Sequence, residues 1–496
     1  MKEENKLSPM MEQYMRIKEQ NKDSILFFRL GDFYEMFFDD AKVASEELDL
    51  TLTGKDCGMK ERAPMCGVPY HSCEGYISRL VEKGYKVAIC EQTEDPAKTK
   101  KLVNRDIVRI ITPGTVIEDT MLDESRNNYL ASLNITKDGT GLCFVDASTG
   151  MSYATEISPD EADVRVAREL ARFAPSELIA ADGVLDKTPL EKFLSENYTG
   201  TLTKRPLSSF EINASTEAIS RAYNVVSPEN LGVPANSVAV GAIGAVINYL
   251  CENGRNDKIS IAKLEFYTEE KFMRLDMTAV RNLELCETLR SKSKKGSLLW
   301  VLDKTKTAMG KRLIRGWLLK PLLSVSEISL RQNAIEELCD NVVFRMEAQE
   351  YLSGVRDIER ITTKMLYGTA GPRDLLSLSE TASRFPLIKQ LLSTSKCKLL
   401  RKLYEEIDTV DEIVELIDAA INPEAPVTVR EGKIINDGYS EELDLIKKDM
   451  NSGTTYITDI EVRERERTGI KNLRVRYNKV FGYYIEVTNS FLDKVP

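Results

Sequence analysis

Apolar positions along the first hundred residues switch between two periods. Met11, Tyr14 and Met15 recur at helical spacing behind Ser8-Pro9, where Ser suits an N-cap and Pro the first helical turn. Ile25-Leu26-Phe27-Phe28-Arg29-Leu30 is an apolar run of strand length. Gly31-Asp32 then breaks the run before Phe33-Tyr34-Glu35-Met36-Phe37-Phe38. A helix over 39–50, another from Cys73 to a terminating Gly84, and strands over 86–91 and 108–112 complete a mixed α/β segment. A second α/β segment opens with a hairpin over 141–155, turning at Ala147-Ser148-Thr149-Gly150, and continues with helices over 161–172 and 237–251. From about 260 to 420, Leu and Ile at spacings of three and four predict a helical region. Past Pro423 and Pro426, two polar helices are expected, over 441–450 and from about 454 to 469. Two alternating strands, 473–477 and 483–487, follow. Helices tipped by a small β-unit make an arm, and an arm needs a return path, so the chain reads as truncated.

Within the second run, Phe33 and Glu35 are two residues apart and so share one strand face, with Tyr34, Met36 and Phe38 on the other. Burial suits the Phe, as it does most aromatics, but not an unpaired Glu beside it. The alternative is an exposed aromatic wedge with a hydrogen-bonding neighbour, a device that probes base stacks.

Length and charge narrow the classes. The chain has 496 residues, 42% of them hydrophobic and 29% charged, enough for three or four domains. It holds no apolar run long enough for a membrane span and no secretory signal. Nine scattered cysteines without a C-x-x-C pattern suggest reduced thiols and a cytoplasmic protein. A single histidine, His71, removes most zinc sites and most histidine-based nucleophile arrangements. No phosphate-binding glycine motif is present.

The net charge of −10 argues against diffuse polyanion binding, yet basic residues cluster. Residues 98–109 carry five against Asp106, and residues 461–479 carry seven against three Glu. Residues 290–320 carry ten against Asp303 alone, which reads as a DNA face, as solvated helix faces, or as an interface with acidic surface elsewhere. Asp146, on a hairpin strand, resembles a metal-binding carboxylate of ribonuclease-H-like nucleases. With no carboxylate set to join it, a strand-end or turn-capping role is the simpler reading.

Several blocks taken in order are more specific. Gly31-Asp32-Phe33-Tyr34-Glu35, Met65-Cys66-Gly67-Val68-Pro69-Tyr70-His71, Val87-Ala88-Ile89-Cys90-Glu91-Gln92 and Arg109-Ile110-Ile111-Thr112-Pro113-Gly114-Thr115 resemble the bacterial MutS mismatch-repair family. So do Val301-Leu302-Asp303, Met309-Gly310-Lys311-Arg312 and Gly482-Tyr483-Tyr484-Ile485. The resemblance implies a multidomain α/β plus all-α fold. Its parts would be a mixed α/β mismatch-binding domain (8–118), a ribonuclease-H-like connector (125–255), an incomplete helical core and lever (260–425) and a clamp (430–496).

It further implies that Phe33 inserts beside a mispaired base and that Glu35 hydrogen-bonds the base. A carboxylate among phosphates is expected to take up a proton, and so to supply discrimination more than affinity. Arg62, Arg105 and Arg109 are candidate phosphate contacts around the wedge. Lys471, Arg474, Arg476, Asn478 and Lys479 are candidates at the arm's tip. No catalytic residue and no metal ligand is expected in this chain, and residues 290–320 are not assigned to DNA. ATP, Mg and the ATPase activity would belong to a C-terminal domain that is expected to be missing. Expected partners are duplex DNA with mismatches or small loops and, through the connector, a MutL-type repair factor. The full-length family forms homodimers, and the expected location is the cytoplasm, at the nucleoid. A scaffold that recruits repair factors and a metal-dependent nuclease centred on Asp146 are the competing readings.

Overall fold

A computed structural model describes residues 7–58, 61–94, 103–186, 188–255, 261–268, 272–427, 429–478 and 482–495. The chain divides into two compact units, residues 1–370 with 380–410 and residues 371–379 with 411–496.

The first unit opens with a six-stranded sheet. Its strands are β1 (Ser24–Leu30), β2 (Phe33–Phe37), β3 (Thr53–Lys55), β4 (Ala63–Pro69), β5 (Lys86–Gln92) and β6 (Arg105–Ile111), in the order β3-β4-β2-β1-β5-β6. Only β1 and β5 run parallel. Helix α1 (Pro9–Gln20), capped by Ser8, covers one face. Helices α2 (Phe38–Leu48) and α3 (Cys73–Glu82) cover the other. The unbroken apolar run of β1 follows from this double cover: Leu26 and Phe28 face α1, and Ile25 and Phe27 face α2 and α3.

A second sheet combines β7 (Tyr129–Ile135), β8 (Thr140–Asp146), β9 (Met151–Ile157), β10 (Glu177–Ala181), β11 (Thr201–Arg205) and β12 (Lys263–Phe266). The order is β11-β10-β7-β8-β9-β12, an antiparallel β7-β8-β9 meander extended by parallel strands on both sides. Helices α4 (Ala162–Phe173) and α5 (Pro189–Asn197) pack on one face. On the other pack α6 (Ile212–Tyr223) and α7 (Ala239–Gly254), the latter so apolar that most of it is buried.

The two sheets are joined through Glu177, whose fully buried carboxylate accepts from Gly114 N (3.1 Å), Thr203 Oγ1 (2.7 Å) and Tyr249 Oη (2.6 Å), and also from Thr112 Oγ1. A Cβ at Gly114 would lie 2.9 Å from the Glu177 Cβ and 2.7 Å from Leu130 Cδ1, so only glycine allows this approach.

Between residues 277 and 406 the described chain is helical apart from its connections. Here the basic excess of 290–320 finds its use. Arg312 is buried and forked onto Asp357 (2.6 and 2.7 Å), with Glu359 at 2.6 Å. Lys311 pairs with Glu124, and Lys294 lies 2.6 Å from Asp303. Further along, Lys364 Nζ is 2.5 Å from Asp119, and Arg360 donates to the Asp123 carbonyl at 2.9 Å. The segment's charge is thus partly consumed inside the protein, by Asp357 and Glu359, by Asp303 and, in the connection 118–126, by Glu124.

In the second unit, Leu375, Leu376 and Leu378 pack against Ile417, Ile421 and Ala425. One helix, Glu441–Thr468, runs for 28 residues, about 42 Å at 1.5 Å per residue. This corrects the expectation of two helices. Ser452-Gly453-Thr454 weakens helix propensity by only about 1 kcal/mol at the glycine, and no proline follows to stop the chain. Gly469, at φ +69°, caps the helix, and β13 (Arg474–Asn478) pairs with β14 (Gly482–Glu486) beyond it. Among the described residues no helix is long and apolar enough to cross a membrane.

Candidate nucleic-acid interface

Gly31, at φ +58°, and Asp32 turn the chain from β1 into β2. Phe33 then pairs with Leu30 on one side and Pro69 on the other, with its side chain 47% exposed. Tyr34 and Met36 point into the core beneath α2 and α3. Phe37 shares the face of Phe33 and Glu35 but is buried under α1, so this face is core at one end and open at the other. Phe38 does not continue the alternation expected of it: it leaves the strand at φ +54° and opens α2.

Glu35 is half-buried and is not unpaired. Its Oε2 lies 2.9 Å from Lys55 Nζ, which reaches over from β3. The intervening strand presents Gly67 opposite Glu35, and a Cβ there would stand 3.3 Å from the Glu35 Cγ and 3.1 Å from the Tyr34 carbonyl. On the reverse side the Tyr34 hydroxyl donates to Glu91, and burial followed by this partner raises its pKa. Arg29 also reaches Glu91 (3.3 Å) and stacks over Tyr70 at 3.6 Å. The strand that carries Phe33 is therefore anchored from behind. Lys55 and Gly67 were not singled out in the sequence, because their relation to Glu35 depends on the pairing of β4 between β2 and β3.

The three arginines expected around the wedge separate. Arg62 is exposed next to the start of β4. Arg105 and Arg109 are both engaged by the protein's own groups. Strand β6 begins earlier than the sequence pattern indicated and draws Arg105 inside, where it donates to the carbonyls of Arg29 (2.8 Å) and Val103 (2.9 Å) and to Gln13 Oε1 (3.1 Å). Burial lowers its pKa. Arg109 is committed to Glu118 and to the Thr115 carbonyl at 3.0 Å. Both guanidinium groups hold the domain together in this structure.

Beyond the helix Glu441–Thr468, Lys471 is exposed, and Arg474, Arg476 and Asn478 share an exposed face of β13. Lys479 lies outside the described residues. Arg476 Nε is 2.5 Å from Glu486 Oε2 across the hairpin. The hairpin is tied to the helix end: Val475 N donates to Glu461 Oε2 (3.0 Å) and Arg465 Nε to the Leu473 carbonyl (2.8 Å). Ile470 and Leu473 are buried next to it, and the cross-strand pair Tyr477 and Tyr483 sets its rings 5.1 Å apart at a tilt of 60°. A rigid mount with exposed guanidinium groups can hold phosphates without reading sequence.

Asp146 is fully buried and accepts from Asn127 Nδ2 (2.7 Å), Asn128 N (3.3 Å), Ser148 N (2.9 Å) and Ser148 Oγ (2.7 Å). These donors make it a turn cap. Among the described residues no cluster of three or more His, Cys, Asp or Glu is arranged for a metal.

Family comparison agrees with this architecture. Residues 8–120 match MutS domain I, residues 128–260 MutS domain II and residues 278–487 MutS domain III. The DNA mismatch repair protein MutS of Lachnoclostridium phytofermentans is 46% identical over 490 residues, which are 99% of this chain and 52% of that protein. The DNA mismatch repair protein MutS of Caldanaerobacter subterraneus subsp. tengcongensis is likewise 46% identical over 490 residues, 99% of this chain and 56% of that protein. That of Alkaliphilus oremlandii is 45% identical over 493 residues, again 99% of this chain and 56% of that protein. The chain spans about half the length of the curated relatives it matches. With all three domain types in order and this identity along almost its whole length, the chain belongs to the MutS family.

Proposed function

We propose that this chain recognises mispaired or unpaired bases in duplex DNA, with Phe33 as the wedge, Glu35 as its hydrogen-bonding partner and the arm's tip holding the backbone. The observation that carries the reading is the exposure of Phe33, 47%, in a strand whose other aromatics, Tyr34 and Phe37, are buried. A mispaired step is cheaper to unstack and kink than a paired one, so an inserted ring selects it without reading sequence. Stacking on an aromatic is worth about 1–3 kcal/mol per base and is indifferent to base identity. Glu35 adds discrimination: beside a paired base it finds no hydrogen-bonding partner and stays near phosphates that repel it. A MutL-type factor on the connector, and assembly as a dimer, belong to the same proposal.

The test is a comparison of matched and mismatched duplexes at fixed salt, wild type against Phe33→Ala. The expected outcome is a loss of about tenfold or more on mismatched DNA, in line with one lost stack, and little change on matched DNA. Equal loss on both would remove Phe33 as the sensor.

A further inference from the structure

A cavity of about 360 Å³ lies within the first unit, between β9, α4 and the helix Ala308–Leu319. That volume is within the range of about 300–1,000 Å³ typical of small-molecule sites. Six cationic side chains line it, against the carboxylates of Glu265 and Glu359. Glu359 is already engaged by Arg312.

Three of the cations are poorly compensated. Arg172 is about nine-tenths buried and reaches Glu169 with Nη1 (3.1 Å), while its Nε and Nη2 are buried with no hydrogen-bond partner among the described residues. Lys320 follows the end of the helix Ala308–Leu319, with Nζ 4.3 Å from the ring centres of both Tyr153 and Phe173 and with no carboxylate in ion-pair range among the described residues. Arg331 Cζ lies 3.6 Å over the Trp317 ring centre, a cation–π contact that does not use the guanidinium's hydrogen-bond donors.

Lys320 and Arg172 also crowd the same rings: Arg172 Cζ is 5.4 Å from the Phe173 centre and 5.3 Å from Tyr267, and Lys320 Nζ is 5.8 Å from Tyr267. Aromatic faces soften this like-charge pair without neutralising it. Burial, and after it Arg172, pulls the Lys320 ammonium down to about 7, the response of a buried cation that Glu169 and Glu265 only partly offset.

We propose that this cavity binds a small phosphate-bearing anion, held by Arg172, Lys320 and Arg331. Guanidinium forks match phosphate oxygens, and a lysine adds a point charge. The unused nitrogens of Arg172 supply donors already desolvated and in place. Phe173 and Trp317 offer apolar walls for an organic portion. The site rests on these cations alone and does not depend on how the chain meets DNA.

Isothermal titration of the chain with inorganic pyrophosphate, at ionic strength held constant with sodium chloride, tests it. Wild type is expected to bind saturably, and Lys320→Met and Arg331→Gln to bind at least tenfold more weakly. Lys295→Gln, an exposed charge outside the cavity from the same basic segment, is expected to bind like wild type. Thermal unfolding without pyrophosphate is run on each variant to show that it folds; should Lys320→Met not fold, Arg331→Gln carries the comparison. No saturable binding at millimolar pyrophosphate overturns the proposal. So does equal binding by Arg331→Gln, or a loss in Lys295→Gln as large as in the cavity variants.

Discussion

The Lys55 ammonium stands 2.9 Å from Glu35 Oε2, bridging from β3 across β4 to the strand that carries Phe33. The carboxylate that would meet a base is thus held in place by its own domain before any partner arrives. The ion pair is only partly shielded from water, and such pairs contribute about 0–1 kcal/mol to stability.

Glu35→Gln is therefore expected to fold with a stability change below about 1 kcal/mol, read by urea unfolding. On DNA its effect should be larger and asymmetric. Affinity for matched duplex should hold or rise, and the ratio of mismatched to matched affinity should fall. An unchanged ratio would dismiss Glu35 as the discriminating group.

Glu177 ties the last strand of the first sheet to the second. Replacing it with Leu leaves the buried donors Gly114 N, Thr203 Oγ1 and Tyr249 Oη without their acceptor. At about 1–3 kcal/mol for each stranded buried group, a loss of several kcal/mol is expected in chemical denaturation. A loss below about 1 kcal/mol would mean that water replaces the carboxylate easily.

Arg312→Ala removes one side of a buried charge cluster and is expected to destabilise the chain by about 3–5 kcal/mol. Asp357→Asn added to it should have much less than its effect alone, because the two share one interaction. Simple additivity in a double-mutant cycle would contradict the forked geometry.

Lys320 gives a pH signature. Its folded-state value of about 7 lies below the ordinary ammonium value of about 10.4 that it regains on unfolding. Between those values the unfolded chain holds a proton that the folded chain does not, so this group makes stability rise with pH across the window. Below about 7 the ammonium is charged in both states and its burial penalty is fully present. Glu169 and Glu265 moderate the penalty and Arg172 deepens it. Urea midpoints taken across that window should climb in wild type and climb less in Lys320→Met.

At the hairpin, Arg474→Gln is expected to weaken binding to matched and mismatched duplexes alike and to reduce the slope of log affinity against log salt by about one. Glu486→Gln releases Arg476 from its 2.5 Å partner and should strengthen binding to both duplexes. An effect confined to mismatched DNA would move the hairpin from holding to sensing.

What could be read from the chain, and what could not, follows the range of the interactions. The alternation that put Phe33 and Glu35 on one face is local, and it survives in β2. Strands β1, β2, β5, β8 and β9 and helices α1 to α4 and α7 were visible for the same reason, since one apolar period marks one element, whereas β4, β7 and β10 to β12 were not singled out. The burial of Arg105 was not legible, because a basic residue carries no mark of the carbonyls that fold around it from positions 29 and 103. Lys55, Glu177 and Arg312 were passed over for a related reason: each acts on a partner distant in sequence. The unbroken helix Glu441–Thr468 shows the opposite error, in which a weak local signal at Gly453 was given the force of a stop.

Phe33 is carried by a strand paired on both flanks and braced from behind by Tyr34, Glu91 and Arg29. The ring cannot recede without tearing the ladders beside it. Mechanically the sheet is an anvil, and when two bodies are pressed together the softer one yields. On the function proposed for this chain, a well-stacked step would stay stiff and a mispaired one would give way. The domain would then work as a hardness gauge, in which all the compliance being measured belongs to the DNA.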